Sequence, residues 1–143
     1  MATEFQMEAA RAGGGTPARH HFSKHINLTM VGGVQVADTS FVPPTDSRIA
    51  GFRVKNATAF TGTPTNLYLT IGKTSAADAS YVANTDVKAA GDFSPSLATG
   101  AIADLMSWPS GQALAATLTA NGGTTPGGTV TVEVFYSPPS SVA

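Results

Sequence analysis

The feature that most constrains this chain is a strict two-residue alternation close to its C-terminal end. Four apolar residues fall on one side, Val130, Val132, Val134 and Tyr136, and three others fall between them, Thr131, Glu133 and Phe135. Successive side chains of a β-strand point to opposite faces of a sheet, so this period predicts a strand over 130–136. Because a parallel sheet is covered on both faces and apolar at almost every position, one-sided alternation favours an antiparallel sheet.

The same period recurs in other short segments. Residues 22–30, 50–54, 67–71 and 114–118 alternate in this way, and another short strand is predicted near 81–82. The residues expected to face inward in these segments are Phe22, Ile26, Leu28, Met30, Ala50, Phe52, Val54, Leu67, Leu69, Ile71, Leu114, Ala116 and Leu118. Six to eight short strands joined by Gly, Pro, Thr and Asn turns predict an all-β fold. We expect an antiparallel two-sheet β-sandwich, jelly-roll or Ig-like, or a small barrel.

Two local patterns predict the structure between strands. Gly32-Gly33 stands between Val31 and Val34, and two glycines in this setting are typical of a hairpin turn. Residues 85–91 begin with polar side chains and end at a glycine, which predicts a single helical turn.

Residues 1–19 differ from the rest and are predicted to form an N-terminal arm, with the β-sandwich domain over 20–143. Thr3 and Gln6 have the spacing of a helix cap, and the glycine run that follows predicts a flexible joint. The residues expected to bind a partner through this arm are Phe5, Met7 and Ala9, with Gly13, Gly14 and Gly15 as the joint. Exchange of such arms between identical subunits would close a symmetric homo-oligomer.

Composition excludes several classes of protein. A chain of 143 residues is long enough for one domain with a single core. Charged residues make up 12% and the net charge is −1, so the basic stripe that nucleic-acid binding requires is absent. No apolar run reaches the length of a membrane span, and the chain has no cysteine. We expect neither nucleic acid nor membrane as a partner.

The three histidines, His20, His21 and His25, are close together in the sequence but are not expected to hold a metal. On a strand, His21 and His25 face the same way but stand about 13 Å apart. Zinc needs its ligands about 2 Å from the ion, and no cysteine is present to complete the set. We expect histidines at the surface or at a subunit contact.

No pattern in the chain predicts catalysis or a cofactor. Gly72-Lys73-Thr74 imitates the end of a phosphate-binding loop, but the first glycine of that motif is replaced by Leu67. No Gly-x-Ser-x-Gly sequence occurs. The aspartates that stand in predicted turns are Asp78, Asp86, Asp92 and Asp104. Aspartates in turns usually accept local backbone hydrogen bonds, so the chain is not expected to be an enzyme.

Trp108 has two interpretations. It precedes Pro109 in a predicted loop, and with Tyr68 and Tyr81 it would make a platform for stacking sugars. Alternatively, it closes one end of the sandwich as a buried plug, which is the interpretation we favour.

Two segments resemble small accessory virion structural proteins of tailed phages. They are Asn66-Leu-Tyr-Leu-Thr-Ile-Gly-Lys-Thr-Ser-Ala-Ala-Asp-Ala-Ser-Tyr-Val-Ala-Asn-Thr-Asp-Val-Lys-Ala-Ala-Gly91 and Gly127-Gly-Thr-Val-Thr-Val-Glu-Val-Phe-Tyr136. The resemblance covers about half the chain and carries over no site residues. It implies a virion protein made in the host cytoplasm, such as a capsid decoration, head-fibre or tail accessory protein that contacts other virion proteins. The alternative is a carbohydrate- or receptor-binding sandwich of a phage tail or cell surface.

Overall fold

The computed structural model describes residues 21–98 and 102–139, and within these ranges the chain forms eight strands and one short helix. The elements are β1 (Phe22–Met30), β2 (Val36–Phe41), β3 (Arg48–Asn56), β4 (Asn66–Lys73), β5 (Val82–Asp86), β6 (Gly91–Phe93), α1 (Ile102–Met106), β7 (Leu114–Asn121) and β8 (Gly128–Ser137). The predicted arm and the predicted domain boundary after residue 19 lie outside the described residues.

The strands form two four-stranded sheets with antiparallel pairing throughout. The first sheet has the order β1-β8-β3-β6, and the second has the order β2-β7-β4-β5. The first strand is therefore next to the last, the second next to the seventh, the third next to the sixth and the fourth next to the fifth. One long antiparallel hairpin, rolled so that its strand pairs alternate between two sheets, is a jelly roll. The predicted sandwich is confirmed, and the pairing is that of the jelly-roll alternative because an Ig-like sandwich groups its strands differently.

Apolar side chains from both sheets form one core between them. Its members on the strands are Ile26, Leu28, Met30, Ile49, Phe52, Val54, Leu67, Leu69, Ile71, Val82, Leu114, Ala116, Leu118, Val130, Val132 and Val134. The inward faces that the alternation predicts for β4, β7 and β8 are all confirmed, with Tyr136 only partly buried at the end of β8.

Two of the predicted inward residues are exposed. The register between β3 and β8 shifts between Ile49 and Gly51, so Ala50 is an extra residue that leaves the ladder and faces solvent. Ile49 occupies the inward position instead and is buried. Phe22, at the first position of β1, lies at the end of the sandwich and is 48% exposed. A bulge and a strand end both break the simple two-residue rule.

The glycine pair between β1 and β2 forms the expected turn without forming the expected hairpin. Gly32 and Gly33 have φ values of 61° and 71°, and the amide of Val34 donates to the carbonyl of Val31 at 3.3 Å. However, β1 pairs with β8 in the first sheet, whereas β2 pairs with β7 in the second. The hairpin prediction is wrong because long-range pairing separates the two strands that the turn connects.

The helical turn predicted over 85–91 is also wrong. Thr85 and Asp86 belong to β5 and pair with β4, and Gly91 begins β6. The link between these strands is held by Asn56, whose Nδ2 donates to the carbonyl oxygens of Val87 at 2.8 Å and Ala89 at 2.9 Å. Strand pairing and a buried amide from a distant strand thus override the local helix signals.

A loop covers the outer face of the second sheet. Ala115 and Thr117, which alternation would place on an open face, are both fully buried. The amide of Ala77 donates to Thr117 Oγ1 at 3.0 Å, which holds the loop over 74–80 against β7. Below it, a Cβ atom on Gly72 would stand 2.5 Å from the carbonyl oxygen of Asp78. Glycine at this position lets the loop approach the sheet.

We expect Gly72→Ala to lower the free energy of unfolding by about 1–3 kcal/mol, since the added methyl group would push against loop backbone. Gly51→Ala is the matched control, because a Cβ atom there meets no other described heavy atom within 4 Å. Its effect should stay within about 0.5 kcal/mol. Urea denaturation measures both. Equal stability of the two variants would show that the loop does not lie on β4.

Candidate functional site

The two histidines that the structure describes lie apart, and each contacts a different residue of β8. His21 Nδ1 is 2.9 Å from Ser137 Oγ, whereas His25 Nε2 is 3.1 Å from Glu133 Oε2. Both histidines are exposed, as expected, and His20 lies outside the described residues. Within the described ranges, no group of three or more His, Cys, Asp or Glu side chains has the arrangement of a metal site.

Two of the four aspartates make the local hydrogen bonds that the sequence predicts. Asp78 Oδ1 accepts from the amide of Ser80 at 2.9 Å, and Asp86 Oδ1 accepts from the amide of Lys88 at 3.1 Å. Burial raises the pKa of each carboxyl, but hydrogen bonds and the charge of a neighbouring lysine outweigh it and leave both pKa values below the ordinary one. The local prediction is confirmed for this pair.

The other two aspartates lie in regular elements and pair with cations. Asp92 is in β6 and its Oδ2 is 3.3 Å from Arg53 Nη2. Asp104 is in α1, where its Oδ2 is 3.0 Å from Lys73 Nζ and accepts from the Tyr81 hydroxyl at 3.0 Å. The prediction that these two stand in turns is wrong, and it is also wrong for Asp86, which is the last residue of β5.

Trp108 is the plug at one end of the sandwich. Its side chain is fully buried, and its ring centroid is 5.2 Å from that of Tyr81. The indole Nε1 donates to the carbonyl of Gln112 at 2.7 Å. Its backbone amide donates to Ser47 and its carbonyl accepts from Asp46, both at 2.8 Å. A tryptophan that is fully buried by these contacts has no exposed ring face on which a sugar could stack. This confirms the interpretation of Trp108 as a buried plug.

The Lys73–Asp104–Tyr81 cluster stabilises the same end electrostatically. The hydrogen bond from Lys73 holds the pKa of Asp104 below its ordinary value, against the effect of burial. Burial and the bond to Asp104 raise the pKa of the Tyr81 hydroxyl well above its ordinary value. The phenol therefore stays protonated and the carboxylate stays charged near neutral pH. Each group is engaged by its neighbours, so the arrangement fastens α1 to β4 and the start of β5.

A group of aromatic side chains stands where the chain enters the sandwich, with Phe22 exposed and the other two half-buried. We call Phe22, Phe41, Tyr136 and Lys24 the aromatic rim. The ring centroid of Tyr136 is 5.8 Å from that of Phe22 and 5.3 Å from that of Phe41. Lys24 Nζ stands 6.0 Å from the Phe41 centroid. Val42, directly after β2, is 48% exposed and extends the apolar surface. Aromatic side chains close to a cation are typical of protein contact surfaces.

The outer face of the first sheet is a polar ladder centred on Glu133. Its carboxylate is 3.1 Å from His25 on β1 and 3.3 Å from Lys55 on β3. Burial raises the pKa of Glu133, but Lys55 and its other neighbours outweigh this, so the pKa lies below the ordinary value. Towards the start of β8, Thr131 Oγ1 donates to Asn27 Oδ1 at 2.7 Å. These cross-strand pairs tie β1, β8 and β3 together on the solvent side.

An open cleft of about 660 Å³ lies beside this ladder, between the segment after β3 and the start of β8. Its polar lining includes Lys55, Asp92, Thr61 and Thr131. Lys55 is already paired with Glu133, and Asp92 with Arg53. None of the described residues that line the cleft is aromatic. The stacking surface that the carbohydrate-binding alternative requires is therefore not at this cleft.

The structure thus assigns roles that sequence patterns do not reveal. Lys73 and Asp104 are thirty-one positions apart, and Asn56 reaches residues 87–89. The sequence indicates the contact between Glu133 and His25 only weakly, because alternation places both residues on outer strand faces without showing that their strands are neighbours. The predicted partner-binding residues Phe5, Met7, Ala9 and Gly13–Gly15 lie outside the described residues.

Comparisons with known proteins find similar chains in two phage capsid structures. No protein-family model matches the chain, and no curated protein matches it. A chain of the cyanophage Pam1 capsid asymmetric unit is similar over 87% of this chain and 92% of its own length, with 19% identity and a TM-score of 0.55. A chain of the acid-stable capsid of the Helicobacter pylori bacteriophage KHP30 covers 87% and 94%, with 11% identity and a TM-score of 0.49. The likeness to the Pam1 chain shows a shared fold. Among the described residues, no helix has the length and apolar character needed to cross a membrane.

The Lys73–Asp104 pair predicts a loss of stability in acid. Because the folded-state pKa of Asp104 is lowered, its contribution is present above the ordinary value of 3.8 and is lost as the pH falls through the folded value. We expect Asp104→Asn, which keeps an acceptor for Tyr81, to cost about 0.3–1 kcal/mol at pH 7, since the pair is partly exposed. Lys73→Met should cost a similar amount. Denaturation at several pH values checks this; deficits that persist unchanged at pH 2 would contradict it.

Proposed function

We propose that this protein is a structural component of a tailed-phage virion, and specifically a decoration or accessory protein on the capsid surface. The observation that carries the proposal is the likeness to the Pam1 chain, which spans nearly the whole of both chains. The two chains therefore have about the same length and share a fold over most of it. A small one-domain protein of this kind suits a role in which it attaches to a shell.

The arrangement of charged and polar groups supports a structural role. Lys73, Asp104 and Tyr81 bind one another at one end of the sandwich, and Glu133 is held between Lys55 and His25 on an outer face. Catalytic groups need access to a substrate, whereas these groups are occupied in joining strands. Their contribution is rigidity of the domain.

The aromatic rim supports attachment through the end at which the chain enters. Phe22 is 48% exposed, and the predicted arm, residues 1–19, ends shortly before it. Phe5 and Met7 of that arm would each contribute about 1.5–3 kcal/mol when buried in a neighbouring subunit. The rim then adds an apolar and cationic surface next to the arm. We propose that arm and rim together form the contact with the capsid.

Quantitative mass spectrometry of purified particles from the phage that encodes the protein tests the proposed function. A capsid-surface protein should be present in a fixed number of copies relative to the main shell protein. Cryo-electron microscopy of the same particles should place the sandwich on the outside of the shell. Absence of the protein from purified particles would overturn the proposal.

We expect deletion of residues 1–18 to leave the sandwich folded, because the first strand begins at Phe22. Attachment to particles that lack the protein should weaken at least tenfold, since the apolar contacts of the arm are removed. Phe22→Ser should weaken attachment in the same direction by a smaller factor. Circular dichroism confirms folding, and co-sedimentation with particles measures attachment.

The control for the Phe22 substitution is Val31→Ser. Val31 is 74% exposed and follows β1 at the opposite end of the sandwich. Its substitution removes exposed apolar surface without touching the proposed contact, so attachment should be unchanged. If Val31→Ser weakens attachment while Phe22→Ser and the deletion do not, the protein attaches through its other end.

A further inference from the structure

Each sheet of the sandwich has two edge strands, and the four edge strands differ in length and in the regularity of their pairing. The edges of the first sheet are β1 and β6, and those of the second sheet are β2 and β5. An edge strand presents backbone N–H and C=O groups that can pair with another chain, unless it is short, irregular or covered. The length and regularity of each edge therefore decide which of them is available.

Three of the four edges are blunted. β6 has only three residues, Gly91–Phe93. β5 has five, and its register with β4 shifts between Leu69 and Ile71. β2 has six, and its register with β7 shifts between Asp38 and Phe41. Short length and bulges are the devices by which natural sheets avoid edge pairing.

The remaining edge strand is long and regular. β1 has nine residues and pairs with β8 without a register shift from its first residue to its last. Within the described residues, β1 pairs with a strand on this one side only. Its outward side chains, Ser23, His25, Asn27 and Thr29, are all exposed. This edge has none of the irregularities that protect the other three.

We propose that β1, along its outer edge from Ser23 to Thr29, joins the β1 of a second copy of this chain, antiparallel and about a two-fold axis. The two first sheets would then become one continuous eight-stranded sheet. Such an interface uses the same surface on both partners, so it closes at two subunits and leaves no further edge of this kind. It needs no other protein, and it does not depend on the proposed function.

The charges and the pleat select the register of this pairing. Outward residues must oppose outward residues, because a shift by one position would turn one strand over. A two-fold axis at Lys24 would place two lysines directly opposite, which is unfavourable. An axis at Ile26 places Lys24 opposite Leu28, and it pairs every residue from Ser23 to Thr29. In this register His25 of one copy lies opposite Asn27 of the other.

The outward side chains of β1 in one copy are also compatible with those of β1 in the other copy. In the proposed register, Ser23 opposes Thr29 and His25 opposes Asn27, so each cross-strand pair joins groups that can donate and accept hydrogen bonds. None of these four is a carboxylate or a lysine. A partner strand of different sequence would have no such symmetric match, so the second copy is the occupant that β1 fits best.

Disulfide trapping tests the register, and the absence of cysteine from the chain makes the test clean. Directly opposed residues of antiparallel strands have Cα atoms about 4.5–5.5 Å apart, which suits a disulfide. We expect His25→Cys and Asn27→Cys, co-expressed as two single variants of the full chain, to form a covalent heterodimer under mild oxidation. The matched control combines His25→Cys with Thr29→Cys, whose thiols stand two residues out of register. It should crosslink at least fivefold less.

A charge variant tests the same contact without a covalent bond. His25→Lys with Asn27→Lys places a lysine beside Glu133 and also places lysines opposite each other across the axis. Analytical ultracentrifugation of the wild-type chain should show a monomer–dimer equilibrium. The double variant should dissociate at least tenfold more readily, and added salt should restore part of the loss because it screens the repulsion. Circular dichroism establishes that the double variant is folded.

Three results would overturn the inference. One is a wild-type chain that stays monomeric at the highest soluble concentration. Another is a dimer in which the in-register pair crosslinks no better than the control pair. The last is a dimer that resists the lysine variant but dissociates when residues 1–18 are deleted, which would assign the contact to the arm. All of these measurements use purified protein in the absence of particles, so they are independent of whether it belongs to a virion.

Discussion

The pairing of the first strand with the last is the interaction on which the rest of the fold depends. β1 and β8 pair without interruption from Phe22 with Tyr136 to Met30 with Gly128, across about a hundred residues of chain. Along the chain, the strand pairs β2–β7, β3–β6 and β4–β5 are nested between the two strands of this outermost pair. Closing so long a loop costs conformational entropy that only the completed core repays. The fold is therefore a property of the whole chain and not of any hairpin within it.

The two ends of the sandwich differ in a way that bears on function. At one end, Trp108, Tyr81 and the Lys73–Asp104 pair close the core, and the aromatic rim stands beside the point where the chain enters. The other end consists of turns, among them the one at Gly32-Gly33. The turns at that end are joined to one another by hydrogen bonds, such as the one from the Gly33 amide to the Pro126 carbonyl at 3.0 Å, and they carry none of the rings of the aromatic rim.

Local patterns predicted some elements of the fold and missed others for identifiable reasons. β4, β7 and β8 show clear alternation because their inner faces cross the centre of the core. β2 was not predicted, since Asp38 interrupts its apolar pattern and binds Ser40 locally. β6 has only three residues and offers too short a pattern to recognise. The candidate site was predicted in part. The plug role of Trp108 follows from its size and apolar character, whereas the Lys73–Asp104 pair joins distant segments.

The sequence by itself determined that the chain is an antiparallel all-β protein and which faces of its main strands turn inward. These are local properties, because the direction of a side chain along a strand depends only on its position. The tertiary structure alone decided which strands are neighbours. It placed β1 and β2 in different sheets despite the turn between them, and it placed residues 85 and 86 in β5. Pairing depends on how two sheets bury their faces together, and no segment of the sequence holds that information.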